Sequence, residues 1–308
     1  MNRNLPTVAV LLSSYNGERF IREQIESILA QKNVSVRIFV RDDGSTDKTY
    51  IIINEYGPRV TLFAENNIGV GNSFMNLLYK AGTSADYYAF CDQDDIWLPE
   101  KLWQAVRKVS GYTTPALYCS NQLLTDSKGN ITGKRYNSPV NTTYMQILCN
   151  NRITGCTMLW NTPLQRILIQ EQRKPSQELL IKRIHDVWVA MVASVTGKIL
   201  YDPNAHILYR QHESNVVGAK ETSLYHEWRK KIKNPALRNG RSLLAKEISE
   251  KYGDIISDRE ILSRLQAYAN YQKDQRAKKR LLSEATLISR YSREAVWQLR
   301  MKIRLHLF

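Results

Sequence analysis

Through residues 7 to 109, short apolar runs alternate with stretches whose apolar residues recur at helical spacing. TVAVLLSS, residues 7–14, reads as a buried, β-branched strand. GERFIREQIESILAQ behind it sets Phe20, Ile21, Gln24, Ile25, Ile28 and Leu29 at helical spacing. VSVRIFV predicts a second strand, and RDDGSTD follows it, where Gly44 and Ser45 mark a turn into a helix through Tyr50–Ile53. VTLFAEN is a third strand, GNSFMNLLYKAG a helix closed by Gly82, and ADYYAF a fourth strand. Pro99 suits the first position of the helix PEKLWQAVRKV. This β-α-β-α order predicts an α/β fold, a mostly parallel sheet with helices on both faces.

The pattern changes after Pro115. ALYCSNQLLTD is strand-like, SKGN a turn and RITGCTMLWN another strand. HDVWVAMVASVTG predicts a helix with Val187, Met191 and Val195 on one face, and KILYDPNAHILYRQH two extended pieces broken at Asp202-Pro203-Asn204. From Ala219 onward, helical and charge-rich sequence dominates. The expected organisation is therefore an α/β domain over residues 1–218 and a helical, basic region over 219–308. The last residues, LRMKIRLHLF, alternate apolar and basic with period 2, which segregates on a strand and predicts one there. Such a strand would pair with a second subunit, making a homo-oligomer, or cover a sheet edge.

Composition adds compartment and partners. Hydrophobic residues make up 43% of 308, enough for a proper core. Cys91, Cys119, Cys149 and Cys156 form no CxxC pair and are too few for a disulfide framework, which points to a reducing compartment. The run Val8–Leu12 is shorter than a signal-peptide core or a membrane span. The expectation is a cytoplasmic protein, soluble or peripheral at the inner face of the membrane. Residues 219–308 hold 21 Lys+Arg against 10 Asp+Glu, a net +11 of the chain's +15. Trp228-Arg229-Lys230-Lys231-Ile232-Lys233, with Leu224, pairs apolar side chains with this charge. A solvated helical surface is the plain reading and an anionic membrane surface the functional one. Nucleic acid is disfavoured, because no helix-turn-helix, zinc-finger or RNP-type pattern accompanies the charge.

Candidate chemistry sits where the strands end. Ligands of open α/β sheets bind beyond the carboxyl ends of the strands. Ser13–Gly17, Asp42–Ser45 and Asp92-Gln93-Asp94-Asp95 follow the first, second and fourth strands, so the fold would gather them on one rim. Carboxylates as close as Asp92, Asp94 and Asp95 raise one another's pKa unless a cation or donor sits among them. An Asp-x-Asp pair after a strand suits a divalent metal, Mn2+ or Mg2+, bound to a diphosphate. The alternatives are a solvated acidic loop, and helix capping for Asp42-Asp43 and their neighbours.

SSYNG, RDDGSTD, FCDQDDIWLPEKL, HDVW and YRQHESNVVGAK stand in the order found in family 2 glycosyltransferases of the GT-A fold, which the chain resembles over roughly residues 7 to 220. The combination looks most like bacterial rhamnosyltransferases of cell-wall or capsular polysaccharide. The resemblance implies an inverting sugar transfer, a dTDP-rhamnose donor and a lipid-linked glycan acceptor; a UDP-hexose donor, or a nucleotide- or glycan-binding module without turnover, are the rival readings. It further implies that Ser14, Tyr15, Asn16, Asp42 and Asp43 line the donor base and ribose, with Asn67 in a third donor-side block. Asp92 would lie near ribose and metal, Asp94 would be the main metal ligand, and Asp95 would bind donor sugar or brace Asp94. Asp186 would be the catalytic base, against a simple N-cap role at the start of its helix. His212 would serve the metal or diphosphate, with Arg210 nearby. Related sequences place an aromatic directly after His-Asp, whereas Val187 here precedes Trp188.

Overall fold

The computed structural model describes residues 5–126, 129–211 and 238–308. Its strands are β1 (Thr7–Ser14), β2 (Ser35–Asp42), β3 (Val60–Ala64), β4 (Tyr87–Cys91), β5 (Ile96–Trp97), β6 (Ala116–Thr125), β7 (Ile131–Lys134), β8 (Leu159–Asn161) and β9 (Lys198–Arg210). They form one mixed sheet in the order β3-β2-β1-β4-β8-β6-β9-β5, with β7 paired to β6. The β3-β2-β1-β4 half is parallel, and β8 joins β4 antiparallel. Ser14 of β1 therefore lies beside Asp42 of β2, and Leu12 beside Cys91 of β4. That register brings the strand ends level.

Alternate residues of β1 serve opposite faces. Val8, Val10 and Leu12 join one core with Ile21, Ile25 and Ile28 of α1 (Ile21–Leu29), Ile53 of α2 (Thr49–Asn54) and Leu102, Val106 and Val109 of α4 (Lys101–Val109). On the other face α3 (Val70–Ala81) and α6 (Thr162–Leu168) pack, with Phe74 edge-on to Phe90 and Trp160 against both Phe90 and Tyr88. Strands covered on both sides read as unbroken apolar runs, which is why β1 shows no polar alternation.

The chain divides into two compact units. One comprises the described residues of Met1–Val140, Ile153–Ile169 and Ile199–Lys220, and the other those of Asn141–Arg152, Gln170–Lys198 and Glu221–Phe308. The second unit is helical: α5 (Tyr144–Asn150), α7 (Gln177–Lys182), α8 (His185–Thr196), α9 (Gly240–Tyr252), α10 (Arg259–Asn270), α11 (Gln275–Ser283), α12 (Ala285–Tyr291) and α13 (Val296–Arg304). Trp188 of α8 meets Tyr252 of α9 edge-on, and Arg173 pairs with Asp254 at 2.6 Å. The boundary expected near residue 218, the basic segment 228–233 with Leu224, and the first half of the SKGN turn lie outside the described residues.

Several local expectations are corrected. Residues 299–304 of the final segment belong to the helix α13, not to a strand, with Leu305 as its C-cap and the last three residues beyond it. Period-2 apolar positions on a helix fall on two opposite faces, and packing here buries one of them, Leu299 and Ile303. Residues 155–157 form a 3-10 turn, so only Leu159–Asn161 of the RITGCTMLWN run is strand. Lys198–Arg210 is one strand through Pro203, with Asp202 accepting from the Asn204 N–H at 2.9 Å at the expected break. Pro99 precedes α4 instead of opening it, since Glu100 is the N-cap.

Candidate active site

The loop after β1 is held by loops from two other strands. Gln93 clasps Tyr15 through both backbone groups: the Tyr15 N–H donates to Gln93 Oε1 at 2.8 Å and Gln93 Nε2 donates to the Tyr15 carbonyl at 3.0 Å. A Cβ on Gly17 would fall 2.2 Å from the same Oε1, so this clasp requires glycine there. Asn16, at φ 48°, donates its N–H to Ser45 Oγ at 2.9 Å and accepts from the Thr46 N–H at 2.8 Å. The three clusters expected on one rim are thus joined by direct hydrogen bonds.

Asp42 and Asp43 face inward and are buried. Asp42 accepts from Ser14 Oγ at 3.1 Å and from the Ser45 N–H at 3.2 Å. Asp43 forms an ion pair with buried Arg41 and accepts from the Ile68 and Gly69 N–H groups at 2.9 and 3.0 Å. Arg41 also reaches Glu65 at 3.1 Å and the Asn66 carbonyl at 2.8 Å. Gly44 sits at φ 78°, where a Cβ would meet the Asn67 nitrogen at 3.0 Å. These contacts bring the Asn66–Gly69 loop to the same rim. Asn67 and the Tyr15 ring are exposed.

Beyond β4, Asp95 is fully buried and its Oδ1 accepts from the Arg210 N–H at 3.2 Å. Oδ2 has no hydrogen-bond partner among the described residues. Burial first, then Asp94 and Asp92, push the Asp95 carboxyl well above the usual carboxylate range. One ligand atom each from Asp92, Asp95 and Cys156 lies within 4.8 Å of the others. The two carboxylates fit a hard divalent cation, which would relieve their repulsion and occupy the orphaned oxygen. The sulfur does not fit it: burial, with Asp95 and Asp92, pushes the Cys156 thiol up and keeps it protonated. Asp94 is half-buried on the same loop, and His212 lies outside the described residues.

Arg210 is anchored at its backbone N–H and at its guanidinium. Its guanidinium lies 4.5 Å from the Phe20 ring centroid and pairs with Glu23 at 2.7 Å. Asp186, in the helical unit, is buried, and its Oδ1 accepts from the Val187 N–H at 2.6 Å. Ile184, not Asp186, occupies the N-cap of α8. Arg183, held down to about 10 chiefly by burial and by Arg241, donates to the Ile147 and Leu148 carbonyls at 2.8 and 2.9 Å. Trp188 is buried, so it offers no ring for stacking on sugar.

Sequence reasoning missed Arg41, Lys101 and Cys156, and it put Gln93 on the rim without its clasp on Tyr15. Lys101 is buried over the Trp97 ring at 3.6 Å, and burial pulls its ammonium down to about 8 against the opposing pull of Cys91, Cys156 and Asp95. A lysine on the apolar face of a predicted helix was the available signal. Cys156 carried none, because it comes from a segment far along the chain.

A family model described as "Glycosyl transferase family 2" matches residues 9–167. The chain is 30% identical over 225 residues to the dTDP-rhamnosyl transferase RfbG of Shigella flexneri, covering 68% of this chain and 74% of the relative. An uncharacterised glycosyltransferase of Rickettsia typhi is 25% identical over 223 residues, with 70% and 68% covered. Among solved structures, Staphylococcus aureus TarS matches with TM-score 0.57 at 15% identity, over 97% of this chain and 53% of that one. TarS 1-349 in complex with UDP-GlcNAc matches with TM-score 0.54 at 15% identity, over 98% and 93%. At such identity the likeness extends to the fold.

Proposed function

The chain belongs to glycosyl transferase family 2 and is a glycosyltransferase, and from that premise we propose that it moves a sugar, with inversion, from a nucleoside-diphosphate donor to a glycan acceptor. The observation that carries this is the convergence of the loops after β1, β2 and β4, hydrogen-bonded through Gln93, Ser45 and Asp42. Tyr15 and Asn67, exposed on that rim, suit a base and ribose, with Ser14, Asn16, Asp42 and Asp43 shaping the loop under them. Asp94 with Asp92 would hold Mn2+ or Mg2+, with His212 as a further ligand. The cation would stabilise charge on the departing nucleotide diphosphate. Asp95, fully buried, braces that loop against Arg210 with one oxygen and would lend its carboxyl group to the same cation beside Asp92. Asp186 takes the proton from the acceptor hydroxyl as it attacks the anomeric carbon.

Two donor readings stand on different relatives. A UDP-hexose is supported by the fold shared with the TarS complex with UDP-GlcNAc, and dTDP-rhamnose by the similarity to RfbG. A lipid-linked acceptor, and with it peripheral attachment at the inner membrane face, belongs to both. A donor panel scored for hydrolysis and transfer, with and without Mn2+ or Mg2+, separates them. Metal-dependent turnover of one donor, lost in a folded Asp94→Ala variant, is expected. Near-normal turnover by that variant would remove Asp94 from the metal.

A further inference from the structure

Helix α13 has two apolar faces, and only one is packed. Leu299 and Ile303 are buried, whereas Trp297, Met301 and Leu305 are 63%, 49% and 61% exposed. Residues four apart stack along one side of a helix, so these three form a continuous row from the first turn to the C-cap. Arg300 and Arg304, both exposed, border the row, and exposed Arg290 and Arg293 precede the helix. The remaining charged side chains of 290–305, Lys302 and Glu294, bind each other, and Glu294 also pairs with Arg241 at 2.5 Å. The exposed side-chain charge of this segment is therefore wholly positive.

We propose that this face of α13 docks the protein on an anionic lipid surface. Trp297, Met301 and Leu305 enter the interface between headgroups and acyl chains, while Arg300 and Arg304 extend to lipid phosphates along their aliphatic stems. Exposed tryptophan beside arginine is the pairing that a surface apolar below and anionic above selects. A second copy of the chain fits less well. Two-fold contact through this row would set like-charged arginines against each other, and three side chains fall short of the roughly 800 Å² per partner of a stable interface. No helix among the described residues is long and apolar enough to cross a membrane. The inference gives a place to the peripheral attachment named above, and it rests on that reading.

The full chain is tested by co-sedimentation with vesicles containing phosphatidylglycerol against pure phosphatidylcholine, alongside donor hydrolysis in solution. Wild type should prefer the anionic vesicles. Trp297→Ser with Met301→Ser should weaken binding by about tenfold or more. Arg300→Glu with Arg304→Glu should weaken it by about 25-fold or more, since each arginine near the surface contributes about fivefold. Both variants should hydrolyse donor as wild type does, because these side chains are exposed and none of them belongs to the donor rim. Unchanged vesicle binding in both variants overturns the proposal. So does a wild type that ignores vesicles and sediments as a dimer that Trp297→Ser/Met301→Ser dissolves, which would make the face a subunit contact. Loss of donor turnover in wild type with vesicle binding intact would count against the glycosyltransfer reading alone.

Discussion

The Asp95 carboxylate accepts a hydrogen bond from the backbone N–H of Arg210 at 3.2 Å, tying the acidic loop after β4 to the end of the last strand of the sheet. One oxygen of a fully buried carboxylate is thus spent on structure, while the carboxyl as a whole stands in one cluster with Asp92 and Cys156.

Two substitutions at Asp95 should part these roles. Asp95→Asn keeps an acceptor for the Arg210 N–H and removes a charge held close to Asp92 and Asp94, so stability should be kept or raised while metal activation weakens. Asp95→Ala leaves that buried N–H without its acceptor and should cost about 1 to 3 kcal/mol. Denaturant melts and metal titrations of donor hydrolysis read the two effects. Equal destabilisation by both variants would contradict the hydrogen-bonding role.

Arg41 should be a main stabiliser of the donor-side rim. Arg41→Met strands the buried Asp43 carboxylate and should cost about 3 kcal/mol, the lower end for a broken buried pair, because two backbone N–H groups still reach Asp43. Adding Asp43→Asn should recover much of the loss. A double-mutant cycle with no coupling would show that the ion pair does not hold the loop.

At Asp186 the chemical and structural roles predict opposite results. Ile184 takes the N-cap position, so Asp186→Asn should leave the melting temperature nearly unchanged. Loss of general-base assistance should lower kcat by about 10² to 10⁴ with donor Kd kept. Transfer at the wild-type rate would take the base role from this residue.

His185 gives a pH signature. Burial lowers its imidazole from 6.5 to about 3, so the folded protein keeps it neutral where the unfolded chain binds a proton. Its contribution to stability is complete above pH 6.5 and falls as pH drops from there toward 3, by up to about 1.4 kcal/mol per pH unit. His185→Gln should flatten that part of the stability profile, measured by urea melts across the range. A mutant with the wild-type slope would place the acid sensitivity elsewhere.

Apolar runs that can only be strands, amphipathic repeats between them, and polar clusters at the strand ends were legible in the sequence. Those signals are local, which is why β1 to β4, α1 to α4 and the gathering of residues 13–17, 42–45 and 92–95 could be read from residues alone, whereas the order of the strands in the sheet could not. The tail shows the limit of local pattern. LRMKIRLHLF suits a strand by its period, yet it is helical through Arg304, where Leu299 and Ile303 find a packed surface in the helical unit. Tertiary structure alone decided that Arg41 lies under Asp43, that Gln93 clasps Tyr15, and that Cys156 stands beside Asp92 and Asp95. The physical reason is common to all three. Burial changes what a polar side chain must do, and which groups are buried together depends on contacts between segments that are distant in the chain.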